Sequence, residues 1–138
     1  MPVDRKTLPV RRPSLASAAG TAGLLAVATF VNYMAWLGWD REKDVLPDGT
    51  TTGPYQPWQV VGVALGLGVL AAVAGRRGHP VIDAVAISLT MTVCWSVNAA
   101  TSDDSGLWAL GAAMVLAGTS LGAGAVAAIA ARFHRGSR

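Results

Sequence analysis

Three carboxylates recur every four residues, at Asp40, Asp44 and Asp48, and two more stand side by side at Asp103 and Asp104. Oxygen donors brought together from two segments could hold calcium, which takes about six to eight of them, or could meet a cationic partner. The calcium-loop pattern D-x-[DN]-x-[DN]-G is missing. Pro47 also prevents a regular helix from aligning the three aspartates. A solvated acidic rim is the reading these residues favour.

A second group combines amides with aromatic rings: Asn32, Tyr33 and Trp36 in one apolar stretch, Trp95 and Asn98 in another. An amide in apolar surroundings must find a partner, because leaving it unsatisfied costs free energy. A direct Asn32–Asn98 bond between helices is the simpler expectation. A polar floor beneath an aromatic pocket is the sharper one. The five tryptophans, Trp36, Trp39, Trp58, Trp95 and Trp108, fall at the same ends of their stretches, as do Tyr33 and Tyr55. Indole favours the headgroup level of a bilayer, but belts normally form at both interfaces. An anchoring ring is favoured here over an aromatic cavity.

The remaining chemically competent side chains are isolated. Asp83 sits near one end of an apolar stretch, where a helix N-terminus and Arg76 or Arg77 would stabilise it. A proton-relay carboxylate would lie deeper. His79 and His134 lack neighbours at metal-ligand spacing. Cys94 is the single cysteine, so no intramolecular disulfide forms, and a thiol in an apolar stretch is inert. No G-x-S-x-G, H-E-x-x-H or P-loop pattern is present. The expectation is a non-enzymatic chain without metal or cofactor.

The elements that must carry these residues are four apolar spans, read at about 15–39, 58–75, 81–100 and 107–131, with a loop at 40–57. Each approaches the roughly 20 residues a helix needs to cross a bilayer. Of the 138 residues 52% are hydrophobic and 14% charged, against about 25% charged in a soluble domain. The fold expected is all-α: an integral membrane four-helix bundle, antiparallel up-down, forming one domain at 15–131. A basic arm at 1–14 and a basic tail at 132–138 flank it.

Charge sets the orientation. Arg5, Lys6, Arg11, Arg12, Arg76, Arg77, Arg132, Arg135 and Arg138 fall on one side of four spans, and Arg41 and Lys43 on the other. Lys and Arg are retained in the cytoplasm, so both termini are expected inside. Asp40, Glu42, Asp44, Asp48, Asp103 and Asp104 then face outward. The first span is too long for a signal-peptide core and its far end too bulky for cleavage, so it reads as an uncleaved anchor. The net charge of +3 is explained by these flanking anchors rather than by nucleic-acid binding.

Between the spans, Pro47-Asp48-Gly49 reads as a tight turn and Thr50-Thr51-Thr52 as extended chain. Ser14 is the expected first N-cap, and Pro57 or Trp58 the start of the second helix. Gly62/Gly66 and Gly118/Gly122 are GxxxG pairs that permit close helix approach, within the chain or along a homodimer seam. The Ala, Gly and Val richness is typical of GC-rich bacterial coding. The functional expectation is an accessory or scaffold subunit of the cell membrane. Its partners would be the lipid bilayer and another membrane protein or a second copy of itself. A small oligomeric transporter or channel with an outward-facing polar and aromatic site is the alternative, and a membrane enzyme ranks third.

Overall fold

The computed structural model describes residues 14–137. The basic arm expected at 1–14 lies, Ser14 apart, outside the described residues, and so does Arg138. The chain forms α1 (Leu15–Trp36), α2 (Pro57–Arg76), α3 (Pro80–Ser102) and α4 (Trp108–Gly136). Two short strands, β1 (Asp44–Val45) and β2 (Thr51–Thr52), pair antiparallel between α1 and α2. All four helices are long and apolar enough to cross a membrane.

The helix starts follow local chemistry. Ser14 accepts the Ser17 amide at 3.2 Å, satisfying one of the free donors of the first turn. Gln56 and Gln59 form a reciprocal capping box at α2, with Pro57 as its first residue. Pro80 opens α3 in the same position, where its missing N–H is no loss. Two boundaries differ from the sequence reading. α1 stops at Trp36, because the Leu37 and Gly38 amides both turn back onto the Tyr33 carbonyl, at 2.8 and 3.0 Å. α4 runs on to Gly136, so the basic tail expected at 132–138 continues the helix over 132–136. His134 and Arg135 occupy its last turn, where cations complement the helix dipole.

Consecutive helices run antiparallel, but their order around the bundle is not the chain order. α1 packs on α2 and α3, and α4 packs on α2 and α3, while among the described residues α1 and α4 do not meet. The neighbours α1 and α3 therefore run parallel, as do α2 and α4.

The α1/α2 contact is a notch. Asn32 lies over Gly66 and Trp36 over Gly62, and a Cβ at either glycine would overlap the side chain above it. Asn32 Nδ2 also donates to the Val63 carbonyl at 3.1 Å. Small residues at a helix interface allow this close approach. The second GxxxG pair behaves differently: nothing lies within 4 Å of a Cβ at Gly118 or Gly122.

The interior divides along the bundle axis. Toward Arg76 it is built from Leu25, Ala71, Ala74, Ala84, Ile87 and Ala123. Toward the 37–56 loop it is built from Tyr33, Leu37, Val63 and Met91, with Trp36, Tyr55 and Trp95 packed against them. Only 11% of the apolar stretch of α4 is buried, against 33% of that of α2. Most of the apolar surface thus faces away from the protein.

Gly66→Leu should drive a side chain into the Asn32 carboxamide and destabilise the bundle by roughly 1–3 kcal/mol, the usual cost of overpacking. Gly118→Leu should cost far less. Thermal unfolding of both variants in the same detergent checks the difference.

Candidate functional site

The sequence-selected residues gather at the end of the bundle that carries the 37–56 loop. That loop is tied down at several points. Gln59, fully buried, donates from Nε2 to Asp40 Oδ2 at 3.0 Å and from the other end of its amide accepts the Gln56 backbone N–H. The Gln56 side chain donates to Asp44. The hairpin between these anchors closes on the Leu46–Thr50 bond at 2.8 Å. Gly49 takes φ +83 in its turn, a conformation costly for any residue with a Cβ.

The Asp48 carboxylate accepts both the amide and the hydroxyl of Thr50, at 3.0 and 2.6 Å. These bonds hold it below the ordinary carboxylate range. Asp103 is lowered in the same way by the hydroxyl and amide of Ser105, which stand at 2.5 and 2.9 Å. The carboxylates therefore do not converge. Asp40, Asp44, Asp48 and Asp103 each close a separate local contact, and Asp104 is exposed. Among the described residues no cluster of three His, Cys, Asp or Glu side chains is placed to hold a metal ion.

Tyr55, from the end of the loop, joins it to the helices. Its hydroxyl accepts from Asn98 Nδ2 and stands 3.5 Å from the Tyr33 hydroxyl. The expected Asn32–Asn98 bond is thus replaced by two others. Asn32 faces α2 and bonds Val63, whereas Asn98 faces the loop and bonds Tyr55. The five amide and aromatic candidates divide accordingly. Asn32 and Trp36 fill the α2 notch, Trp95 lies against Gly111 of α4, and Tyr33 and Asn98 border a cleft between α1 and α3.

That cleft has a volume of about 600 Å³. Phe30, Tyr33 and Met34 form one wall; Leu89, Val93, Cys94 and Val97 lie on the other, with Asn98, Thr101 and Arg41 toward the loop. Arg41 Nε donates to the Gly38 carbonyl at 3.2 Å, which fixes the side chain. A smaller recess of about 220 Å³ brings Lys43, Tyr55, Trp95, Asn98, Asp103 and Trp108 together.

The tryptophans also separate. Trp39 and Trp58 are 61% and 56% exposed and stand 6.5 Å apart. Trp36 meets Trp58 edge to face at 6.2 Å. Trp39 and Trp58 are placed as surface rings, whereas Trp36 and Trp95 pack inward.

At the opposite end Asp83 corrects the sequence reading. Its carboxylate is fully buried and accepts the Thr21 hydroxyl at 3.2 Å, while Arg76 and Arg77 are exposed. The reason is register: position 83 shares the inward face of α3 with Ala84, Ile87, Ser88 and Met91. Asp83 Oδ2, Ser88 Oγ and His79 Nε2 are buried without a hydrogen-bond partner. Asp83 is not among the residues that line the α1/α3 cleft.

The residues missed from the sequence are Gln59, Tyr55, Arg41 and Thr21. Gln59 carried a usable signal, since Gln at the third helical position after a cap is a capping-box residue. The partners of Tyr55 and Thr21 are far away in sequence and left no local trace, and the place of Arg41 at the cleft depends on how the loop folds back.

No protein-family model, curated protein or solved structure matches this chain. The class of protein is therefore defined by the fold alone: four apolar helices of membrane-spanning length, capped at one end by a fixed acidic loop.

Tyr55→Phe removes the acceptor of Asn98 and should loosen the loop by roughly 0.5–1.5 kcal/mol, the net worth of a typical hydrogen bond. Trypsin should then cut faster after Arg41 and Lys43. The two lowered carboxylates set a pH dependence of the turns. A group depressed in the folded state stabilises above its unfolded value of 3.8 and loses that contribution as pH falls through the folded value. The Thr50 and Ser105 amides should therefore hold their exchange protection at neutral pH and lose it only in acid below that value.

Proposed function

We propose that this chain is a multi-pass protein of the cell membrane, with both termini cytoplasmic, that acts as a non-enzymatic accessory or scaffold subunit. Its acidic loop end would meet an extracytoplasmic partner. The observation that supports this is how the loop end uses its polar groups. Asp40, Asp44, Asn98 and Tyr55 are engaged in holding the loop on the helices. None of them is left as a nucleophile or an acid–base pair. What remains outward is a rigid edge with Glu42 and Asp104 exposed. A preorganised surface of this kind suits recognition, since little ordering is required on binding.

The transport alternative receives less support. The large cleft is bordered by α1, α3 and Arg41 only, so it is a groove on one side of the bundle and not a passage through its middle. The buried carboxylate is not part of it.

The test is photocrosslinking in native membranes from groups placed at Glu42 and Asp104. A defined heavier adduct is expected from both positions, lost when the other acidic residue is changed to lysine. An embedded chain that yields no adduct from either site overturns the scaffold reading. Orientation is checked separately with cysteines at Thr51 and Ser137: an impermeant thiol reagent applied outside should reach Thr51 and not Ser137.

A further inference from the structure

We infer that the α1/α3 cleft is a binding site for one anionic phospholipid, with an acyl chain along the groove and the phosphate at Arg41. The inference rests on reading the helices as bilayer spans.

Three observations meet here. The first is the gradient of polarity along the cleft. Its walls are mostly apolar, with Phe30, Leu89, Val93 and Val97 and the one hydroxyl of Thr90 at the far end, and Arg41 and Thr101 stand at its loop end. That is the profile of an amphiphile lying parallel to the helices. The second is where the groove opens. Phe30, Leu89, Val93 and Val97 are each about half exposed, so the groove faces sideways, where lipid lies, and not into the bundle. Its apolar part from Leu89 to Val97 is roughly 12 Å long at the helical rise, within the ~15 Å of one leaflet's hydrocarbon. An acyl chain fits that length, and a small soluble solute would leave most of it empty.

The third is charge. Arg41 is one of two basic residues at the loop end, beside Lys43; of the carboxylates nearest in sequence Glu42 is exposed, and the other two are engaged by amides. Asp40 is bound by Gln59 and Asp44 by Gln56. Arg41 spends only its Nε–H on the Gly38 carbonyl, which aims the guanidinium while leaving its terminal N–H groups for an anion. Guanidinium binds phosphate oxygens through paired, charge-assisted hydrogen bonds. Tyr33 and Asn98 line the same end of the cleft, with the Tyr33 hydroxyl and Asn98 Nδ2 engaged by Tyr55, so Arg41 is the group left to meet a headgroup.

Cys94, the chain's single cysteine, lies on the cleft wall and reports occupancy without any substitution. The purified full-length chain in an uncharged detergent is treated with a small thiol reagent while phosphatidylglycerol is titrated in. Phosphatidylglycerol should slow Cys94 modification. Diacylglycerol with the same chains and glycerol phosphate alone should not, which separates a lipid site from a simple apolar groove and from a free phosphate site. Arg41→Gln should raise the lipid required by about tenfold, one lost charge-assisted contact. Val93→Trp should fill the groove and reduce the lipid retained in native mass spectra.

Equal protection by diacylglycerol overturns the inference. So does an unchanged Arg41→Gln titration, or a thiol that is unreactive before lipid is added. Extraction of the source membranes with alkali is scored first. A chain washed off the membrane refutes the bilayer reading itself, whereas an embedded chain with an unprotected Cys94 refutes the lipid site alone.

Discussion

The seating of Asn32 and Trp36 in the Gly62/Gly66 notch is the constraint on which the rest of the loop end depends. Successive residues of a helix are about 100° apart, so fixing two of them one turn apart fixes the direction of every other. With Asn32 and Trp36 turned to α2, the face formed by Phe30, Tyr33 and Met34 must turn to α3. The cleft wall is a consequence of the notch. So is the position of the Tyr33 hydroxyl, which meets Tyr55 only because its helix cannot rotate.

Polar side chains in these helices are handled in two ways. Thr29, Thr92 and Thr119 return their hydroxyl protons to the carbonyls four residues back, each at 2.7 Å. Such bonds satisfy the group within its own helix and constrain no neighbour. Asn32, Asn98 and Gln59 reach across to another element instead, and so specify which elements meet. An amide that bonds a backbone carbonyl of the next helix, as Asn32 does to Val63, works only where the helices are close. Amide and glycine therefore act as one unit. Asp83 follows neither pattern fully: one oxygen is satisfied by Thr21 and the other is not. The free amides of the first turn of α3 supply a favourable field around it.

The four helices were legible because each is a long apolar run, and three of them open on a cap or a proline at Ser14, Pro57 and Pro80. The turn at Pro47-Asp48-Gly49 and the extended Thr51-Thr52 followed from local backbone preference, and so did the starts at Ser14 and Pro57. What the sequence concealed was lateral order. Hydropathy states that four spans exist but not that α1 and α4 stand apart, because apolar faces in a lipid-like environment look alike whether they meet protein or not. The two GxxxG pairs show this directly. Gly62/Gly66 is filled from within the chain and Gly118/Gly122 is not, although their spacing is identical. The candidate site was misjudged for the same reason. Asn32 and Asn98 sit at similar heights, but height does not give azimuth, and they face different partners.

Side-chain size distinguishes the two ends of the interior. At the other end Ala71, Ala74, Ala84 and Ala123 fill the interior, and the α2 and α4 backbones approach so closely that a Cβ at Gly75 would overlap the Ala127 carbonyl. At the loop end the interior is occupied by Tyr33, Trp36, Tyr55 and Trp95. These rings are rigid and need polar partners for their N–H and O–H groups, so they cannot be compressed as alanines can. Rings of unequal shape pack with gaps unless every neighbour is matched to them. Of these four rings Tyr33 alone lines the α1/α3 cleft, and its hydroxyl stands beside that of Tyr55. A substitution that shrank Tyr33 would reshape the cleft wall and remove the hydroxyl that stands beside Tyr55. The cleft wall and the loop anchor are in this way joined through the Tyr33–Tyr55–Asn98 contacts.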